Sequence, residues 1–303
     1  MTRKVVGIIV IALWALGLAF LYKRNGTHGP QPSLAEAGLR VSPDVFYYAL
    51  QQDGIQVGAA SSSVDTLKDR IVAVDFLRGA IPHGKDTIKI EARSESRLTR
   101  GMRLRDFIVK AIGDMPPFTL RGVMQEGEDK TLRVTTLDGQ KGKPITTESV
   151  PDNPLFLATF APLPLILRGE PKIGDSISVS VYNPLSRTVE PVTLRIQADS
   201  LFLVADSAIM DSTSGRWVKT RQASIRGWRV GGAPPLQRMW VDASGRLLAA
   251  EEQDGISIVR TTFELSFANW KLDHMTAADS ARARAAAAME AAKSPPASQR
   301  PLP

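Results

Sequence analysis

At 303 residues, with 43% hydrophobic residues and no cysteine, the chain can bury one large core or two modest ones without covalent staples. The missing thiols exclude disulfides, thiolate metal sites, a cysteine nucleophile and a lipid-modified cysteine. The formal charge of +7 does not point to nucleic acid, because Arg3, Lys4, Lys23, Arg24 and the segment after Trp270 hold most of it.

Val5 opens and Tyr22 closes an uncharged apolar run, residues 5–22, with basic pairs on both sides. At about 1.5 Å per residue a helix of this length reaches roughly 27 Å, close to the roughly 30 Å hydrocarbon core of a bilayer. The run predicts a transmembrane helix within an anchor, residues 1–24, whose partner is the lipid bilayer. Signal peptidase needs small residues soon after the apolar stretch, and Lys23 and Arg24 come instead, so the anchor is expected to stay uncleaved. The flanking charges tie, but a long domain behind a first apolar segment commonly translocates regardless of its charge. The expected address is the inner membrane, single-pass, with the C-terminal domain in the periplasm.

Residues 25–43 read as a linker, opening on the Gly/Pro-rich spacer NGTHGPQP. From residue 44 short alternating segments recur between turn signals, which predicts a mainly β chain of curved antiparallel sheets in a meander, half-barrel-like in its curvature. In the first portion, residues 44–152, strands are expected over 46–50, 55–64, 71–77, 87–93, 103–112, 118–124 and 132–137, with Asp53-Gly54 as the first hairpin turn. The run NPLFLATFAPLPLILR, within residues 153–169, interrupts the alternation. Pro162 and Pro164 forbid a long helix, so a short apolar helical crossover is expected. Core packing is the plainer role of this run; the sharper one makes Phe156, Leu157, Phe160 and Leu163 the lining or lid of an apolar ligand site.

The second portion, residues 170–272, is expected to hold strands over 176–182, 192–198, 201–204, 223–230, 238–241, 247–252 and 257–267. Asp199, Asp206 and Asp211 are spaced too openly for a calcium loop and read as a surface loop between strands. Trp217, Trp228, Trp240 and Trp270 read first as core area and second as platforms for glycan. Residues 273–303 form an alanine-rich helical stretch that breaks at Pro295 and Pro296 into a disordered end.

Catalytic patterns are sparse. His28, His83 and His274 stand in no metal-ligand spacing and no triad context, and no GxGxxG, Walker loop or GxSxG occurs, so no cofactor or metal is expected. Ser61, Ser62, Asp65 and Asp75 are the polar residues with which an unrecognised hydrolase would have to work.

Several segments carry a resemblance: YYALQQDGIQVGAASSSVDT at 47–66, SGRWVKTRQASIRGWRV at 214–230, MWVDASGRLLAAEEQDG at 239–255 and RTTFELSFANW at 260–270. They resemble the β-rich, membrane-anchored extracytoplasmic region of bacterial transglutaminase-like proteins, and in style the half-barrels of lipoprotein carriers. The resemblance implies an envelope protein; it brings no catalytic signature, and no transglutaminase-like domain follows. The expected function is therefore a non-catalytic binding or scaffold protein of the bacterial envelope, assisting an envelope protein partner. The alternative is a carrier or sensor of a lipid or other apolar ligand on the concave face of the sheet.

Overall fold

The computed structural model describes residues 38–83, 86–114, 116–125, 131–138, 143–150, 156–157, 162–167, 169–183, 188–232, 238–251 and 255–273. The apolar run at 5–22, the spacer at 25–32, Phe160 and the alanine-rich tail lie outside these residues. Among the described residues no helix is long and apolar enough to cross a membrane.

The chain is mainly β, and among the described residues the strands join into one 15-stranded sheet. Eight strands run first: β1 (Asp44–Gln52), β2 (Ile55–Thr66), β3 (Arg70–His83), β4 (Asp86–Thr99), β5 (Leu104–Gly113), β6 (Phe118–Met124), β7 (Leu132–Asp138) and β8 (Pro144–Val150). Each pairs antiparallel with the one before it. Tight turns make such sequential hairpins cheap in loop entropy. At the first of them Asp53 and Gly54 take φ of 51° and 77°, the two positive values that a hairpin turn following strand twist requires.

From β8 at one edge the chain passes to the opposite edge. There β9 (Phe156–Leu157) lies parallel to β10 (Ser176–Asn183). A second meander returns through β11 (Thr188–Asp211), β12 (Arg216–Gly231), β13 (Arg238–Val241), β14 (Leu247–Glu251) and β15 (Ile256–Thr261), and β15 closes antiparallel on β1.

A flat sheet of this width would hold its two halves far apart, yet they share a core. Val64, Ile71, Ala73 and Leu98 of β2, β3 and β4 pack in one cluster with Val179, Val192, Leu194, Val230 and Val241 of β10 to β13. Further along, Phe107, Leu120 and Leu132 of β5 to β7 meet Tyr182 of β10, with the Phe107 and Tyr182 rings 5.3 Å apart. The sheet therefore curls, and one face becomes concave and apolar over much of its area. Gly122 on β6 permits the tightest part of this packing, since a Cβ there would run into the Phe107 ring.

Within the curl sits α1 (Leu163–Ile166), a single turn in the crossover between the two edges. Pro164 occupies its first turn, where the missing N–H costs nothing. Leu163, Leu165, Ile166 and Leu167 are 1–6% exposed and belong to the shared core.

The second meander departs from expectation in two places. Strands expected at 192–198 and 201–204 are one long strand, β11, that runs on through the aspartates read as a loop, and β12 starts at Arg216 rather than 223. Beyond Leu201 the two strands pair only with each other, as a ribbon that leaves Leu201, Leu203, Ile209, Met210 and Val218 exposed among polar residues; alternation does not mark strand ends where neither face is fully buried. The strand expected over 257–267 ends at Thr261, and the chain turns helical through a π-turn (Glu264–Ala268) into α2 (Asn269–Asp273). Phe263, Phe267 and Trp270 recur at helical spacing, and Tyr47 and Phe76 on the convex face of β1 and β3 receive the two phenylalanine rings at 5.4–6.2 Å. Gln56 Nε2 donates to the Ser266 carbonyl at 2.8 Å, and Asn269 exchanges two hydrogen bonds with the backbone of Trp217, tying the ribbon to this cap.

Candidate functional site

The concave face is not apolar throughout. Register places Ser94, Asp75, Ser62 and Phe46 side by side across β4, β3, β2 and β1. Two residues along β1, Tyr48 lies on the same face and directly opposite Arg260 of β15. Ser62 donates to Asp75 Oδ1 at 2.7 Å, and Ser94 donates to Oδ2 at 3.2 Å, so one carboxyl is held from both neighbouring strands. In IVAVDFL the parity that gives Ile71, Ala73 and Leu77 to the inner face gives it Asp75 as well.

The turn between β13 and β14 completes the cluster. Asp242 Oδ1 accepts from the backbone N–H groups of Ser244 and Arg246 and from the Ser244 hydroxyl, while its Oδ2 takes Arg260 Nη1 at 2.7 Å. The Arg260 guanidinium also lies 3.6 Å from the centre of the Phe46 ring, in cation–π contact. This turn is braced by the crossover: Gly245 takes φ of 73°, and a Cβ on it would meet Leu163 at 2.6 Å. Arg246, 8% exposed, follows and is thereby fixed beside the strand row.

Burial shapes the electrostatics. The strands walling Asp75 push its carboxyl above the ordinary carboxylate range, against the two serine hydrogen bonds and the charge of Arg246. Burial likewise raises the Tyr48 phenol, 4% exposed, and lowers the Arg246 guanidinium. For Asp75 the sign is unambiguous: the folded protein disfavours the ionised form, so stability is undiminished below the unfolded carboxyl's pKa and falls as pH rises through the raised folded value. Asp75→Asn keeps the shape and can still accept from a serine. It is expected to be more stable than the native protein at pH 7, by on the order of 1 kcal/mol. Urea unfolding from pH 4 to pH 8 checks this: the two stabilities should converge towards pH 4, and a native protein as stable as the variant at pH 7 would refute it.

The residues singled out in the sequence separate clearly. Ser62 and Asp75 meet; Ser61 and Asp65 have the opposite parity on β2 and face away from them. His83 stands eight residues beyond Asp75 on β3, roughly 26 Å at strand rise, and His28 and His274 lie outside the described residues. Phe156 and Leu157 contribute the backbone of β9, and Leu163 is 2% exposed in the core. Asp199 and Asp206 pair with Arg226 and Arg221 at 2.8 and 2.9 Å, and Asp211 caps the turn between β11 and β12. Trp228 and Trp270 are buried, and Trp240 packs edge-on to Phe202 at 5.8 Å. Tyr48, Ser94, Asp242, Arg246 and Arg260 were not anticipated.

Comparison with protein families returns no match, and comparison with curated proteins returns none. Among solved structures, the chain is similar to a beta-barrel-like protein of the domain of unknown function DUF1849 from Brucella abortus. That match has 12% identity and a TM-score of 0.47, and covers 73% of this chain and 96% of that one. It is also similar to a DUF1089 family protein from Pseudomonas aeruginosa, at 11% identity and a TM-score of 0.34, covering 62% and 87%.

Proposed function

We propose that the chain is a non-catalytic binding or scaffold protein of the bacterial envelope, anchored in the inner membrane through residues 5–22, with the curled sheet on the periplasmic side. The observation that carries this reading is the polar row on an otherwise apolar concave face. Half-buried Ser62, Asp75 and Ser94 sit there at a cost in stability, beside Tyr48 and Arg246, and a costly polar cluster in a recess is the usual mark of a binding site.

Against a hydrolytic role, among the described residues the serine that meets Asp75 has no histidine in reach, His83 standing roughly 26 Å along β3 from Asp75. Asp75 already accepts from two hydroxyls, so it orients them rather than activating one of them. Against the carrier alternative, Leu163, offered as lining for an apolar ligand, is packed into the core. To test the proposal, the full chain is extracted from envelope membranes in mild detergent and examined by native mass spectrometry. We expect retention in the membrane through an alkaline carbonate wash and a stoichiometric bound molecule or protein. Release by the wash, or a preparation that is empty of both, would sink it.

A further inference from the structure

Two polar side chains in the recess are more than nine-tenths buried and under-used. Among the described residues the Tyr48 hydroxyl makes no hydrogen bond, and Tyr48 is 4% exposed. Arg246 is 8% exposed, and its guanidinium makes a single long bond, 3.4 Å from Nη2 to the Ser42 carbonyl, with no carboxylate in ion-pair contact. A guanidinium carries five donors, and a buried cation without a counter-charge is costly. Of the carboxylates in electrostatic range, Asp242 is engaged by Arg260 and its own turn, Asp75 by the two serines and Asp44 by the Val45 N–H. Yet Arg246 ends the turn whose Asp242 holds Arg260, and Arg260 stands directly opposite Tyr48, so the guanidinium belongs to the Tyr48 end of the polar row, within electrostatic range of Asp242, Asp44 and Asp75.

The next row along the concave face is built mostly of alanine. Ala60 stands opposite Tyr48, and Leu77, Ala92 and Ala111 continue the row across β3, β4 and β5. The three alanines put only methyl groups on that row, with Leu77 among them.

We infer that Arg246 and Tyr48 hold the oxyanion of a ligand, a phosphate or carboxylate group, with the Ser62–Asp75–Ser94 row receiving hydroxyls attached beside it. The planar fork of Arg246 matches either oxyanion with two parallel hydrogen bonds, and the Tyr48 hydroxyl supplies a further donor. The Ser62 and Ser94 hydroxyls and the remaining lone pairs of Asp75 can receive hydroxyls, so a hydroxyl-bearing anion fits better than a bare one. An anionic lipid headgroup and a soluble phosphate share this chemistry. The inference rests on the proposal above that the concave face is a binding site.

The test uses the full chain in neutral-detergent micelles, titrated separately with inorganic phosphate and with dioctanoyl phosphatidylglycerol, and followed by calorimetry. Saturable binding of at least one probe is expected: a lipid-only response identifies a headgroup site, and a phosphate response a site for soluble anions. Tyr48→Phe should weaken binding about tenfold, the scale of one hydrogen bond to a charged group. Arg246→Met should abolish it, while unfolding no earlier than the native protein when no anion is present. Should Arg246→Met fail to fold, Tyr48→Phe decides alone. No saturable binding of either probe up to about 10 mM, or an unchanged affinity in Tyr48→Phe, would overturn the inference. If the chain still retained another molecule or partner in mass spectrometry, the broader binding role would survive that result.

Discussion

Replacing Leu163 with alanine is expected to destabilise the protein by about 2–5 kcal/mol, the range for truncating a leucine in a close-packed core. Leu163 is 2% exposed and belongs to the cluster that joins β2, β3 and β4 to β10 through β13. It also bears on Gly245, in the turn that carries Asp242 and Arg246. The substitution should therefore act twice, through the cavity it leaves and through the loosened turn. Chemical unfolding of the full chain measures the first effect. The second predicts weaker ligand retention in the molecules that remain folded. The two readings of the crossover separate here: a lid over an apolar pocket would lose ligand on truncation with stability nearly untouched. Unchanged stability in Leu163→Ala would refute the core role of Leu163.

Phe107→Ala is expected to cost about 3–5 kcal/mol. Its ring is 1% exposed, lies over Gly122 on the neighbouring strand and packs against Tyr182, which comes from the other end of the sheet. Contacts of this kind hold the curl closed, because nothing in a ladder of antiparallel hairpins obliges strands on opposite sides of the molecule to meet. Loss of the ring should lower the unfolding midpoint and speed hydrogen exchange in β5, β6 and β10 more than in β1 and β15, whose pairing lies far from it. Uniform exchange across all five strands would show that this contact does not govern the curl.

The candidate site was half legible beforehand. Asp75 could be noticed, since it takes the parity of Ile71, Ala73 and Leu77 in an otherwise apolar strand, and Ser62 was among the polar residues named with it. Their meeting could not be read, because register between strands is set by turns and bulges, and a slip of one residue sends every side chain to the other face. Arg246, Asp242 and Arg260 gave no signal at all. They are separated from Asp75 by more than 160 residues of chain, and β15 reaches β1 only after both meanders are complete.

The sequence alone determined the mainly β class, the sequential hairpins from β1 to β7, the Asp53-Gly54 turn and the short proline-limited helix. Each depends on local periodicity, on fixed backbone angles or on a missing N–H, and these act over a few residues. Only the tertiary structure decided that both meanders join as one sheet, that the sheet curls around α1, that residues 263–273 turn helical over the convex face, and that a polar row lies in the recess. Those outcomes depend on which distant apolar surfaces can be buried together, a long-range competition that no window of sequence contains.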